Sequence, residues 1–172
     1  MPKQRVLVDT CIIIEAFRTN CWGALCNRFA IETVEKCIEE ACTGDPLNPS
    51  RLTIDRQALT NGLAARHIVD DELLALLAIE RSDLPALDDG ELHLMAWLHG
   101  NAPVPATLLI STTDKAAIRA SHLLGLLDQV SSLEAMGEEA GIAKAQLRQL
   151  ADHFRVRWLA DIRTKLLLNI FV

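Results

Sequence analysis

The order of hydrophobic and polar residues predicts short buried strands that alternate with helices. Apolar runs of strand length occur at four places, residues 5–8, 29–31, 108–110 and 126–130. Helices are predicted over residues 12–18, 21–27, 33–42, 70–79, 88–99 and 113–124, and over most of 143–170 with a break near His153. Strands that alternate with helices favour an α/β fold with a parallel sheet covered on both faces.

Glycine and proline mark the ends of several predicted helices. Gly44-Asp45-Pro46 ends the helix at 33–42, Ser82–Pro85 ends the helix at 70–79, and Gly100 with the prolines that follow closes the helix at 88–99. The stretch Pro46–Thr60 is rich in proline and small polar residues, which predicts an irregular loop.

Composition indicates a single globular domain. The chain has 172 residues, of which 50% are hydrophobic and 23% are charged. The longest apolar run, Leu73–Ile79, is too short to cross a membrane, and Asp9 interrupts the N-terminal apolar stretch, so we expect neither a spanning helix nor a secretory signal. The five cysteines are an odd number, which favours free thiols in a reducing cytoplasm.

Charge is distributed unevenly along the chain. The net charge is −6, which argues against a surface coated uniformly for nucleic acid. From Lys144 onward, however, six basic residues face two acidic ones, a net charge of +4. This segment could contact phosphate groups; the alternative is an ordinary solvated helix, as is usual for charge runs.

Four acidic residues recur where predicted strands end or predicted helices begin. Asp9 and Asp114 directly follow strands, whereas Glu35 and Glu91 lie in the first turns of helices. In parallel sheets, ligands bind beyond the carboxyl ends of the strands. Carboxylates held together are costly unless a cation compensates them. The four acids therefore predict an Mg²⁺ or Mn²⁺ site of the kind that cleaves phosphodiesters.

Each acid except Asp9 also has a plain structural explanation. Asp88 and Glu91 match a capping box, and Asp114 would favour a helix N-terminus through the helix dipole. Glu35 and Glu39 are spaced i, i+4 and could both lie on a solvated helix face. Asp9 is harder to explain in this way, because a carboxylate that ends a buried strand needs a partner.

The chain resembles the PIN-domain family in four short segments. They are, in order, Val6-Leu7-Val8-Asp9-Thr10, Val34-Glu35, Asp89-Gly90-Glu91 and Ser111-Thr112-Thr113-Asp114. The resemblance extends over about residues 5–130. It implies a three-layer α/β/α sandwich with a central parallel sheet of four to five strands. Residues 1–140 would form a PIN-like nuclease domain, and residues 141–172 a C-terminal helical extension packed on the same domain.

The resemblance also implies an activity and a set of site residues. PIN domains are Mg²⁺- or Mn²⁺-dependent ribonucleases and often act as toxins of toxin–antitoxin pairs. The acids that match the family's catalytic and metal-binding positions are Asp9, Glu35, Glu91 and Asp114, and the polar residues expected to support them are Thr10, Thr112 and Asp89. Cys11 departs from the pattern, because the family usually has Asn there. The second acid is open between Glu35 and Glu39, and the distance from the preceding strand favours Glu35.

Other parts of the chain give candidates for partner binding. The basic residues predicted to contact RNA are Lys115, Arg119, Arg155 and Arg157, although a solvated rim explains the last two equally well. The apolar run Leu166–Val172 would either close the domain's own core or form a surface for a homodimer or an antitoxin.

The sequence thus predicts a cytoplasmic, metal-dependent endoribonuclease. The alternative is a PIN-shaped scaffold that binds RNA or protein without cutting.

Overall fold

A parallel sheet forms the centre of the molecule, for which a computed structural model describes residues 2–43 and 52–170. The four strands are β1 (Arg5–Val8), β2 (Ala30–Val34), β3 (Ala65–His67) and β4 (Leu109–Ser111). Their order is β3-β2-β1-β4, and every pair is parallel. The predicted α/β class with a parallel sheet is therefore confirmed.

Helices connect the strands and continue beyond the last one. They are α1 (Thr10–Arg18), α2 (Trp22–Arg28), α3 (Glu35–Thr43), α4 (Arg56–Gly62), α5 (Asp71–Glu80), α6 (Asp89–Gly100), α7 (Lys115–Leu123), α8 (Leu133–Glu139), α9 (Lys144–Leu147) and α10 (Val156–Leu167). In the part of the chain that the structure describes, none has the length and hydrophobicity needed to span a bilayer. The predicted helix stop at Gly44-Asp45-Pro46 lies outside the described residues, as does the start of the predicted loop.

Both faces of the sheet are covered. Successive side chains of a strand point to opposite faces, yet Val6, Leu7 and Val8 of β1 are all at most 1% exposed. Residues 31–34 of β2 are likewise buried. Helices must therefore pack on both sides, an arrangement consistent with three α/β/α layers.

The structure differs from the predicted elements in three regions. The predicted strand at 126–130 is a 3₁₀ turn at Leu127–Gln129, and only a single bridge from Val130 to Ile110 resembles sheet pairing. Helix α4 occupies the end of the predicted loop, and β3 was not expected at all. Both elements are short and carry few apolar residues, so they lack the periodicity on which prediction depends.

The C-terminal helices pack on the sheet domain. Leu159, Ile162 and Leu166 of α10 form a second apolar cluster with Ile118 of α7 and with residues of the 127–130 turn. Beyond Leu166 the apolar tail is mostly exposed, with Leu167, Leu168 and Ile170 on the surface. The tail thus begins in the domain's own core and is exposed from Leu167 to Ile170, the last residue that the structure describes.

Candidate functional site

Asp9 lies at the carboxyl end of the central strand β1, where the sheet meets α1. It is 2% exposed and caps α1, because its Oδ1 accepts a hydrogen bond from the Ile12 N–H at 2.9 Å. Its Oδ2 accepts a hydrogen bond from the Thr112 hydroxyl at 2.5 Å. The carboxylate is thus fixed at both oxygens by neutral donors.

Thr112 links Asp9 to Asp114 across the gap between β1 and β4. Its Oγ1 donates to Asp9 and accepts a hydrogen bond from the Asp114 N–H at 3.1 Å. Asp114 caps α7 by accepting from the Ala117 N–H at 2.9 Å. Because β1 and β4 are adjacent and parallel, both acids follow strand ends at the same edge of the sheet.

Glu91 reaches the same edge from the first turn of α6. Its carboxylate accepts a hydrogen bond from the Asp88 N–H at 3.3 Å, which is one half of the predicted capping box. The negative charges of Asp114 and Asp9 both raise the pKa of Glu91, so the three acids are electrostatic neighbours. The structure therefore brings together three of the four predicted acids.

Helix α3 contributes different acids from the one that sequence reasoning preferred. Glu35 does not join the cluster; it forms ion pairs with Arg56 of α4 and, at 3.8 Å, with Arg66 of β3. Glu40 instead accepts hydrogen bonds from the Thr10 hydroxyl at 2.6 Å and from the Gly90 N–H at 2.9 Å. Glu40 thereby joins α1, α3 and α6.

Gly90 is required by this contact between helices. A Cβ atom at position 90 would collide with the Glu40 carboxylate, so any other residue would displace this carboxylate from its hydrogen bond with the backbone of α6. The glycine of the Asp89-Gly90-Glu91 segment therefore serves to let Glu40 approach the backbone at the start of α6.

Asp9, Glu40 and Glu91 border a cleft of about 660 Å³. The residues that line it are Asp9, Thr10, Cys11, Lys36, Glu39, Glu40, Thr43, Leu87, Asp88, Asp89 and Glu91. Six of them are acidic, and Lys36 is the one basic residue in this set. Its ammonium group lies 3.4 Å from Asp89 and 3.8 Å from Glu39.

The electrostatics of the cleft oppose ionisation of Asp9 and Glu91. Burial, and then the charge of Asp114, raise the pKa of Asp9 to about 6, although hydrogen bonds from Thr112 and Ile12 act in the other direction. Burial and the charges of Asp114 and Asp9 raise the pKa of Glu91 to about 7. Among the described residues, no ion pair includes Asp9, Glu91 or Asp114.

The basic residues predicted to contact RNA fall into two groups. Lys115 and Arg119 lie on α7, directly after Asp114, and Lys115 is exposed. Arg155 is engaged within the C-terminal segment, where its Nη2 donates to the backbone oxygens of Arg148 and Leu150. Arg157 is exposed on α10. Lys115 is therefore the predicted contact that lies beside the acids and in solvent.

The donor chemistry fits a hard divalent cation. In residues 2–43 and 52–170, no group of three or more His, Cys, Asp or Glu side chains is already arranged to hold a metal ion. Asp9 and Glu91 nevertheless have raised pKa values and, within the described part of the chain, form no ion pair, and carboxylate oxygens are the ligands that Mg²⁺ and Mn²⁺ prefer.

The fold and this cleft define an α/β protein with a parallel sheet and an acidic site at the carboxyl edge of its strands. In comparisons with family models, characterised proteins and solved structures, nothing matches this chain.

Sequence reasoning missed Glu40 and Lys36. A signal for them exists in hindsight, since positions 36, 40 and 43 recur at helical spacing on the face of α3 that lines the cleft.

Proposed function

We propose that this protein is a divalent-metal-dependent nuclease that cleaves RNA phosphodiester bonds in the acidic cleft. The observation that carries the proposal is the buried Asp9 at the end of β1, grouped with Glu91 and Asp114 and without a cationic partner among the described residues. The PIN-domain resemblance of the segments that hold these acids supports the same activity.

Unneutralised acids of this kind reduce stability, which makes a functional explanation more attractive than a structural one. Helix capping accounts for one oxygen of Asp9 and for Asp114, but it does not require that both face Glu91. Bound Mg²⁺ or Mn²⁺ would relieve the repulsion and would supply an activated water and charge stabilisation for the phosphate.

The protein's own residues would hold and orient the site. Asp9, Glu91 and Asp114 would be the metal ligands, and Thr112 would fix the orientation of Asp9 by its hydrogen bond. Glu40 would hold α1, α3 and α6 in register through Thr10 and Gly90. Lys115, exposed beside Asp114, would contact an RNA phosphate. A toxin role with an antitoxin partner belongs to the same proposal and rests on the resemblance alone.

The test is cleavage of a mixed set of labelled RNAs in Mn²⁺, Mg²⁺ or EDTA by the wild-type protein and by Asp9→Asn. We expect cleavage that requires metal and that falls to the EDTA level in Asp9→Asn. Asp161→Asn is a matched control, because it removes the same charge from the exposed side of α10, where Asp161 pairs with Lys165. This control should cleave like the wild type.

Thermal unfolding with added Mn²⁺ separates the nuclease from the scaffold alternative. A ligand that binds only the native state raises the unfolding midpoint. If the wild type neither cleaves RNA nor gains stability from Mn²⁺, the nuclease proposal fails and a non-catalytic binding module becomes the better explanation. Full metal-dependent activity in Asp9→Asn would equally overturn it.

A further inference from the structure

We infer that Lys36 is a substrate-binding residue whose ammonium group offsets the negative charge of the cleft and contacts a phosphate of the bound RNA. The inference rests on the proposed function, and it assigns a role to a residue that the PIN-like motifs do not include. Lys36 is the second residue of α3 and lines the cleft together with Asp9 and Glu91.

The position of Lys36 places its charge between the two helices that border the cleft. Its Nζ lies 3.8 Å from Glu39 Oε2 on α3 and 3.4 Å from Asp89 Oδ2 on α6. Six carboxylates line this cleft, so a phosphodiester anion would meet strong repulsion without a local positive charge. Lys36 supplies that charge, between the acids of α3 and those of α6.

The two ion pairs of Lys36 stabilise the fold too little to explain why a lysine occupies this position. Asp89 and Glu39 are 72% and 54% exposed in their side chains, and ion pairs of this kind contribute little to folding. Both distances are also longer than the 2.7–2.9 Å or so of a charge-assisted hydrogen bond. An ammonium group has three donors, and the loose contacts leave it free to turn toward a phosphate oxygen.

This role predicts effects of opposite sign on metal and on RNA. Without Lys36, the cleft is more negative by one charge, so a divalent cation binds more tightly and a phosphate anion binds more weakly. A lysine that only ordered the acids would act differently, because its loss would weaken metal binding or leave it unchanged.

The experiment compares the wild type with Lys36→Gln and Lys36→Arg. Mn²⁺ affinity is measured by calorimetry without RNA, and kcat and KM are measured with a labelled mixed-sequence RNA at saturating Mn²⁺. For Lys36→Gln we expect Mn²⁺ to bind about three- to tenfold more tightly and KM to rise about three- to tenfold, as one charge a few ångströms away would give at a high effective dielectric constant. Lys36→Arg should restore both values.

Lys165→Gln is the matched control, because it removes the same charge from a half-buried lysine that pairs with Asp161 on α10. It should change neither quantity. Unaltered or weaker Mn²⁺ binding in Lys36→Gln would overturn the role of Lys36 while leaving the proposed nuclease intact. Absence of both Mn²⁺ binding and cleavage in the wild type would instead overturn the proposed function, and with it this inference.

Discussion

Two buried carboxylates beside neighbouring strands have opposite electrostatic environments. Burial alone would raise the pKa of Glu32 in β2, but hydrogen bonds from Arg5 at 2.5 and 2.8 Å and from His67 at 2.8 Å lower it to about 2. Asp9, at the end of β1, receives hydrogen bonds from neutral groups, and its pKa rises to about 6.

The difference shows how this fold surrounds a buried charge that has a structural role with hydrogen-bonding partners. Glu32 is enclosed by Arg5 from β1 and His67 from β3, and the ring of Trp97 stacks on His67 at 4.1 Å between centroids. Glu32 therefore has the partners that a buried charge requires. Asp9 lacks them among the described residues, and its neighbours Glu91 and Asp114 add repulsion. A buried carboxylate that borders a cleft and has no cationic partner among the described residues is typical of a ligand-binding site.

The largest effect should follow from removing a partner of Glu32. Arg5→Met leaves a carboxylate with a 5% exposed side chain to His67 alone, and breaking a buried pair in this way is strongly destabilising. Because the Arg5 side chain is 42% exposed, we expect a loss of about 2–3 kcal/mol in the free energy of unfolding, less than for a fully buried pair. Urea denaturation at neutral pH measures it.

Arg28→Met is the matched control for this change. Arg28 pairs with Glu139, and both side chains are more than two-fifths exposed, so its loss should cost at most about 1 kcal/mol. Equal losses in the two variants would mean that Glu32 does not depend on Arg5, and the contrast between Glu32 and Asp9 would then lose its basis.

The two environments also predict opposite dependences of stability on pH. The pKa of Glu32 is lowered from 4.5 to about 2, so its contribution is present above pH 4.5 and is lost as the pH falls toward 2. The pKa values of Asp9 and Glu91 are raised, from 3.8 to about 6 and from 4.5 to about 7, so the native state holds more protons than the unfolded state between those values. In EDTA, these two acids should therefore lower stability as the pH rises from about 4 to about 7.

Asp9→Asn tests the Asp9 part of this prediction. The decrease in the free energy of unfolding between pH 4.5 and pH 7 should be about 2 kcal/mol smaller than in the wild type, since one pKa unit corresponds to about 1.4 kcal/mol. Urea denaturation in EDTA at both pH values gives the difference, and Asp161→Asn should leave the wild-type slope. An unchanged slope in Asp9→Asn would show that Asp9 ionises as freely in the folded chain as in the unfolded one.

The main site acids could be predicted from sequence because each stands at a strand end or a helix start. Apolar runs located β1 and β4, and parallel strands bring their carboxyl ends to one edge, so Asp9 and Asp114 were expected to be near each other. Glu91 followed from its position in the first turn of α6. Local order along the chain was sufficient for these residues.

The acid of α3 could not be chosen in the same way. The choice depends on which face of α3 turns toward the cleft, and packing against α1 and α6 decides that orientation. Arg56 and Arg66, which pair with Glu35, lie on α4 and β3, the two elements that the apolar pattern did not reveal. Without these elements, the distance from the preceding strand was the basis for preferring Glu35, and that distance carries no information about the ion pairs that engage it.

The smallest predicted effect extends the comparison to these two glutamates. Glu40→Gln keeps the shape of the side chain but weakens the hydrogen bonds from Thr10 and Gly90, which hold the first turns of α1 and α6 around the cleft. Loss of a group that positions metal ligands typically lowers activity or metal affinity by about 10–100-fold, and since one polar oxygen remains we expect roughly tenfold.

Glu35→Gln, the control on the same helix, should leave the rate of RNA cleavage close to that of the wild type because Glu35 is engaged with Arg56 and Arg66. Initial rates at subsaturating Mn²⁺ measure both. The reverse result, a slow Glu35→Gln and a normal Glu40→Gln, would make Glu35 the acid of α3 and would require α3 to turn when the metal binds.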